Sequence, residues 1–332
     1  MTLSCESNGN FVINELQLKG FRTLAYEHLS KLYAYDINSK TKMLVANFYS
    51  GVYGFSVSQL SFNPSGTEVV FAVHSSSHPE RLCEDSLIKC DLMSGNVERL
   101  AIDGDAFRCP KWSPDGKMVA FFFRNQDGVE KLGILEQTPG GMLSLKWAWD
   151  APATEASSRE MWWTQDGAHL LVNKARIVYE RVGRHERVEE RIDSTAKINI
   201  ITGEREETYR DVVVFEGVDK SRIIVVGRNA IYFEDKDGRK ELLFESAESM
   251  RFFNTTRGGE FVIFFKETLL GRSIHVIHVP SRRSCRLYTN RMWSGSYFSS
   301  LHLLKRGNLP ENVILQSDLP GMLREKKVPG TG

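Results

Sequence analysis

Lys111-Trp112-Ser113-Pro114-Asp115-Gly116-Lys117, followed by Met118-Val119-Ala120-Phe121-Phe122-Phe123, reads as a strand end, a tight turn and a second, apolar strand. Pro114 suits position i+1 of a type I turn because its ring fixes φ. Asp115 can follow it, and Gly116 supplies the freedom to leave the turn. The stretch recurs. Residues 62–71 read Phe-Asn-Pro-Ser-Gly-Thr-Glu-Val-Val-Phe, residues 163–172 read Trp-Thr-Gln-Asp-Gly-Ala-His-Leu-Leu-Val, and a weaker copy spans Thr255 to Phe264. The turn glycines Gly66, Gly116 and Gly167 are spaced by roughly fifty residues, and the gap to Gly259 is roughly twice that.

The double gap predicts a degenerate copy, and Val212–Phe215 and Ile223–Val226 flank one with Ser221 in the glycine place. Counting back reaches Gly20, with Phe11–Leu18 and Thr23–Tyr26 as its flanking strands. Counting forward reaches the polar turn Arg306–Pro310 and then Val313–Leu315. Each unit continues with a third and a fourth strand joined by a short turn. Lys31–Ile37 with Met43–Val45, Ser86–Leu92 with Val97–Leu100, and Ile274–Val279 with Ser284–Tyr288 are examples. Four strands per period, with almost no helical periodicity, predict an all-β fold: a single β-propeller of four-stranded blades over residues 1–332. Seven blades are expected, with six as the alternative count. The last unit has Leu301–Leu304, Val313–Gln316 and Met322–Val328 as candidate strands, with 329–332 as a tail. Residues 1–10 are expected to add an outer strand that closes the ring, because an open sheet edge invites aggregation.

The 43 basic and 42 acidic residues nearly cancel. That balance argues against bulk electrostatic binding to nucleic acid or a membrane while permitting a local patch. Five cysteines, odd in number and without a C-x-x-C, point to a reducing compartment and free thiols, and a cytoplasmic protein is expected. No apolar run approaches the length of a membrane span.

The Trp-Ser-Pro-Asp-Gly-Lys-x-x-Ala-Phe pattern of residues 112–121 resembles the repeats of TolB-like and dipeptidyl-peptidase-N-terminal-like propellers, often called WD40-like. The Gly-His and Trp-Asp signatures of true WD40 repeats are missing. The resemblance is specific over residues 57–172 and implies the fold, not a task, since propellers serve unrelated functions. Many such relatives carry a hydrolase domain with a nucleophile elbow. No G-x-S-x-G occurs here. Propeller lyases acting on oligouronides use channel histidines, and that motif maps onto no residues of this chain.

Four residues before Trp112 lies Arg108. The same offset gives Arg159 before Trp163, Arg251 before Thr255 and Ser58 before Phe62. These positions open the first strand of each unit, expected at the channel mouth. Arginines there either cap carbonyls and pair locally or form a basic funnel for an anionic ligand or acidic peptide. A second feature is the charged insertion 174–193. Its strands Ile177–Tyr179 and Val188–Ile192 are expected to pair across Gly183 as a projecting hairpin carrying Arg181, Arg184, His185 and Arg187. Such a mixed-charge segment is either a solvated loop or a partner-binding arm. His74 and His78 lack a defined third ligand. His275 and His278, three apart in a strand, face opposite ways. No metal or cofactor is expected. The sequence favours a non-catalytic platform for a protein or peptide, with a lyase or hydrolase on an anionic saccharide as the alternative.

Overall fold

The structure, a computed structural model, describes residues 16, 21–28, 31–47, 55–75, 85–151, 160–182, 185–210, 212–216, 221–226, 229–248, 250–256, 259–268, 271–290, 298–305 and 315–316. They form six sheets, five of four strands and one of five, which are the blades of a β-propeller. A seventh sheet is not among the described residues. The blades fall into two compact units, one comprising Thr23–Asp150 with Ser296–Gly332, the other Met1–Arg22 with Ala151–Gly295.

In the first unit one sheet contains strands from both chain ends. β1 (Phe21–His28), β2 (Lys31–Asp36) and β3 (Lys42–Asn47) follow in order, β24 (Phe298–Lys305) lies beside β1, and β25 (Leu315–Gln316) lies beside β3. The expected last-unit strand at 301–304 therefore serves the first sheet. β25 runs parallel to β3, pairing Leu315 with Ala46, and occupies the outer edge. Residues 1–10, expected to supply an outer strand, lie outside the described residues, as do residues 11–15 and 17–18. The second sheet is β4 (Phe55–Phe62), β5 (Glu68–Ser75), β6 (Ser86–Asp91) and β7 (Val97–Arg99). The third is β8 (Asp105–Trp112), β9 (Met118–Arg124), β10 (Glu130–Gln137) and β11 (Leu143–Asp150).

Two apolar layers hold these sheets. Leu32, Ala34 and Val45 pack with Leu60, Phe62, Val69, Phe71, Ile88 and Leu304. Val70, Ala72 and Leu87 pack with Phe107, Trp112, Val119, Phe121, Phe123 and Leu135. β9 is apolar and buried from Val119 to Phe123 because a strand covered on both faces has no polar side to alternate with. A buried lysine crosses between two of the sheets. Lys89 on β6 pairs with Glu68 at 2.7 Å and donates to the Gly141 carbonyl of the β10–β11 turn at 3.0 Å.

The other unit holds three blades. They are β12 (Met161–Trp163) to β15 (Arg205–Arg210), through β13 (His169–Val182) and β14 (His185–Asn199); β16 (Val212–Glu216), β17 (Arg222–Val226), β18 (Ala230–Glu234) and β19 (Lys240–Glu245); and β20 (Met250–Thr255), β21 (Phe261–Thr268), β22 (Gly271–His278) and β23 (Arg283–Asn290). Trp162, Phe215, Ile223, Val225, Phe253, Phe264 and Ile277 form a shared core. The repeat positions Phe62, Trp112 and Trp163 are all buried, as core anchors should be.

The repeated turn has one construction throughout. Gly116 N–H donates to the Ser113 carbonyl at 3.0 Å, Met118 N–H donates to Ser113 Oγ at 2.9 Å, and Gly116 has φ 74°. Thr164 plays the part of Ser113 for His169, and Thr256 does so for Phe261. Asn63 Oδ1 accepts from the Thr67 and Glu68 amides. The residue five before the second strand therefore replaces one ladder bond with a side-chain acceptor. Ser113 Oγ also donates to Asp115 Oδ1 at 2.6 Å. Burial pushes the Asp115 carboxyl up, but the bonds from Ser113 and the Lys117 amide, with the Lys117 charge, outweigh it and hold Asp115 below its ordinary range.

A Cβ at Gly116 would sit 2.9 Å from Cδ of Pro64 in the neighbouring turn, whereas one at Gly128, with φ 77°, would meet nothing within 4 Å. Gly116→Ala is therefore expected to cost about 2–4 kcal/mol, combining left-handed strain with overpacking. Gly128→Ala should cost only the strain, about 1–2 kcal/mol. Urea midpoints of the two variants check the difference. Equal losses would mean that Pro64 yields freely.

Candidate functional site

The sequence pattern singled out the positions four before each anchor, and the backbone gives those positions a common feature. Pairing of β4 with β5 shifts between Ser58 and Ser61. Pairing of β8 with β9 shifts between Arg108 and Lys111, and that of β20 with β21 between Arg251 and Asn254. Each first strand is thus bulged at the same place. A bulge adds twist and re-aims side chains, and is common beside binding sites. In β8 the distortion is strongest, because Ala106 and Cys109 both have φ 52°, in the left-handed region. Asp85 Oδ2 steadies the first of them by accepting the Ala106 N–H at 2.9 Å.

The side chains at these positions fare differently. Arg108 Nη2 lies 3.0 Å from Glu130 Oε1, two strands out in its own sheet. Arg124 makes a two-pronged contact with Asp105, at 2.8 and 3.0 Å. Arg108 therefore takes part in an ion pair across its own blade, which is the local-pairing alternative at this position. Arg159 lies outside the described residues, and Ser58 and Arg251 are described through their backbone only.

In the first unit the strands β24, β4 and β8 pack side by side, and the sequence reading overlooked what they share. His302 on β24 is hydrogen-bonded from Nε2 to the Leu60 carbonyl at 3.0 Å and packs edge-on to Phe62 at 5.0 Å. Burial, then the Lys111 charge, push the His302 pKa down to about 3 despite the carbonyl contact, so the ring is neutral and Nε2 carries the proton. Ser61 Oγ accepts the Trp112 N–H at 3.0 Å, tying β4 to β8. No signal marked His302, because it lies outside the strong repeats and its partner is a backbone carbonyl far away in sequence.

In the other unit the insertion folds as a β-ribbon. β13 and β14 pair from His169↔Asn199 to Val182↔His185, with one bulge at Asp193 between Lys174↔Ser194 and Ala175↔Ile192. β12 pairs only with Leu170–Val172, and β15 pairs only with Ser194–Ile198. Eight pairs, from Ala175↔Ile192 to Val182↔His185, thus continue past the blade, a ribbon of about 27 Å. Its far end carries Arg181 opposite Glu186, Arg187 opposite Glu180, and His185; Arg184 lies outside the described residues. The base is rigidly made. Thr195 Oγ lies 2.8 Å from the Val212 carbonyl and 3.0 Å from the buried Asn173 amide. Both partners, the Val212 carbonyl and Asn173 Oδ1, are acceptors, so the single Thr195 hydroxyl proton serves one or the other.

His275 and His278 do not converge. His275 stacks on Phe264 and bonds Ser273, whereas His278 Nδ1 bonds Ser281 Oγ at 2.8 Å. Burial, followed by Lys266 and Arg286, lowers the His275 pKa to about 4 against the opposing pull of Glu248. Among the described residues no cluster of three or more His, Cys, Asp or Glu could hold a metal ion. The side chains of His74 and His78 are outside the description. Cys90, Cys109 and Cys285 are buried and belong to no disulfide; Cys5 and Cys83 lie outside the described residues. Burial, then Asp91, push the Cys90 thiol up to about 12, which makes it an inert core group.

No family model matches the chain, and no curated relative does. Its fold is similar to solved propeller proteins. TolB from Acinetobacter baumannii is 13% identical with a TM-score of 0.56, the match covering 87% of this chain and 68% of that one. A chain of the nidogen/laminin complex is 10% identical with a TM-score of 0.54, covering 84% and 97%. Puromycin hydrolase is 13% identical with a TM-score of 0.50, covering 80% of this chain but 43% of that one. At these identities the likeness establishes the propeller fold and nothing finer.

Proposed function

We propose that the chain is a non-catalytic binding platform for a protein or peptide, with the β13–β14 ribbon as its partner-binding arm. The fold alone favours neither binding nor catalysis, since the similar structures include both a complex and a hydrolase. The observation that carries the reading is the ribbon itself. A self-neutralised loop has no need of eight regular residue pairs beyond the blade, anchored at a buried hydrogen-bonded base. A two-stranded ribbon presents backbone and side chains on two faces and two edges, a form that peptide-recognising surfaces use. Arg181, His185 and Arg187 at its far end, with Arg184 between them in the sequence, suit acidic groups of a partner. In the unit of Thr23–Asp150, the bulged first strands that carry Ser58 and Arg108 would form a second contact zone. The buried cysteines outside any disulfide support a reducing, cytoplasmic setting.

The test replaces residues 175–192 with an Asn-Gly turn and compares the variant with the parent chain as bait. The melting temperature should stay within a degree or two, because the excised pairs lie outside the blade cores. Partners that the parent retains should be lost. Equal retention by the excised variant would overturn the ribbon's role.

A further inference from the structure

We infer that Ser281 is an acyl-acceptor site, its hydroxyl activated by His278 with Glu260 behind the ring, and that it takes an acyl group from an activated ester. A second repeated turn sets the frame. It follows β2, β6, β14 and β22, and in all four copies it ends on a residue with positive φ: Lys40, Gly95, Gly203 and Arg282. In three copies the last strand residue closes the turn with a side-chain oxygen. Asp36 Oδ1 accepts the Asn38 and Ser39 amides, Asp91 Oδ1 those of Met93 and Ser94, and Asn199 Oδ1 those of Ile201 and Thr202. The hydroxyl three places on then points forward. Ser39 Oγ meets Thr41 Oγ1 at 2.7 Å, Ser94 Oγ accepts the Asn96 amide at 3.3 Å, and Thr202 Oγ1 donates to Glu204 at 3.2 Å.

The turn after β22 departs from this plan at each of those places. His278 stands where the others have Asp or Asn, and Pro280 has no N–H to give at the second place. Ser281 turns back, and its Oγ lies 2.8 Å from His278 Nδ1. The ring is buried and held against Phe261, with centroids 5.0 Å apart. Glu260 Oε1 lies 3.7 Å from His278 Nε2, and the Val279 N–H donates to the Glu260 carbonyl at 2.9 Å, which keeps Glu260 beside the ring. At 3.7 Å the carboxylate is too far for a hydrogen bond, but its charge favours the tautomer with the proton on Nε2. Nδ1 is then the acceptor and Ser281 the donor. Carboxylate, imidazole and hydroxyl thus stand in the order that activates a serine nucleophile, and Ser281 is half-buried on a surface turn, within reach of a small reagent.

The step balances without metal or oxidant. Ser281 Oγ attacks the ester carbonyl, and as the Oγ–C bond forms the hydroxyl proton passes to His278 Nδ1. The bond from the acyl carbon to the leaving oxygen then breaks, and that oxygen takes the proton from Nδ1, leaving the ring neutral again. Glu260 steadies the imidazolium while it exists and acts only through the ring, as a positioning residue. The product is an ester on Ser281. Such modification needs no turnover and leaves the binding role of the ribbon untouched. In the other tautomer, Nδ1–H would donate to Ser281 Oγ and the hydroxyl would donate to the His278 carbonyl at 3.4 Å, a serine without a base.

Treatment of the full chain with p-nitrophenyl acetate, followed by peptide mapping over time, tests this. Ser281 should gain an acetyl group about a hundredfold faster than Ser94, the exposed serine of a sibling turn, which is the lower end of what a positioned base supplies. His278→Gln should erase most of that advantage, and Ser281→Ala should leave the turn unlabelled. Glu260→Gln should slow labelling at an unchanged melting temperature, and Glu260→Asp should recover part of the rate. Ser281 labelled no faster than Ser94, or labelled as fast after His278→Gln, overturns the proposal and selects the other tautomer. Should His278→Gln fail to fold, the ratio of Ser281 to Ser94 in the parent decides by itself.

Discussion

A chain ended at Gly295 is expected to lose its cooperative thermal transition, or to melt more than about 10 °C below the parent. The truncation removes β24, which lies beside β1 in the sheet that joins the two ends of the chain. Leu304 leaves the core it shares with Leu32, Leu60 and Phe71, and the hydrogen bond from His302 to Leu60 is lost. A buried leucine alone is worth about 2–5 kcal/mol on truncation. The opened edge of β1 adds unpaired backbone to that loss, out of a total stability of about 5–15 kcal/mol. Differential scanning calorimetry of the 1–295 chain checks it. Supplying residues 296–332 as a separate peptide should restore part of the transition, because β24 and β25 hydrogen-bond to β1 and β3, which the shortened chain keeps. An unchanged melting temperature would mean that β24 contributes little to closing that sheet.

The sheet closed by β24 also shows where the sequence was silent. The strong turns were legible because each needs a particular chemistry: an acceptor side chain at Asn63, Ser113, Thr164 or Thr256, and a glycine with positive φ three residues later. Local requirements of that kind leave a local signature. The degenerate unit was legible from two apolar runs, and β16 and β17 lie where they were expected. The assignment of 301–304 to a unit of its own differed for a physical reason. Strand pairing between the chain ends depends on a closure that no local pattern encodes, so the residues near 300 read as a strand but not as the mate of β1. The insertion was legible as a hairpin because Ile177–Tyr179 and Val188–Ile192 alternate around a glycine. Its length, set by eight further pairs beyond a bulge at the end of the blade, was not.

The same distinction applies to the site. An equal offset singled out Ser58, Arg108 and Arg251, and the backbone bulges at each of them, so the repeat carried real geometric information. It did not carry the direction of the side chain. Arg108 turns across its own sheet to Glu130, a partner set by the β9–β10 pairing rather than by anything adjacent in sequence. His302 was missed for the converse reason, since its surroundings are assembled from β24, β4 and β8, and no one stretch of sequence contains them.

Those surroundings lead to an expected acid sensitivity that begins unusually early. His302 is held to about 3 by burial and the Lys111 charge, and His275 to about 4 by burial with Lys266 and Arg286, against an ordinary value of 6.5. Both are neutral when folded and take up protons only when unfolded, so below pH 6.5 the unfolded chain binds more protons. Their contribution is complete above pH 7 and is lost as pH falls from 6.5 towards 4 and then 3, at about 1.4 kcal/mol per pH unit for each group. By pH 5 the loss is about 2 kcal/mol for each histidine, or about 4 together, a large share of a stability of about 5–15 kcal/mol. The depressed carboxyls Asp91, Asp115 and Asp166 act in another window. Their ordinary value is 3.8, so what they contribute is lost only as pH falls below about 4. Urea midpoints between pH 8 and pH 5 separate the two groups. The parent should weaken steadily below pH 6.5, and His302→Leu or His275→Leu should each remove about half of that slope. A parent whose midpoint is flat from pH 8 to pH 5 would show that neither ring is held neutral in the folded chain.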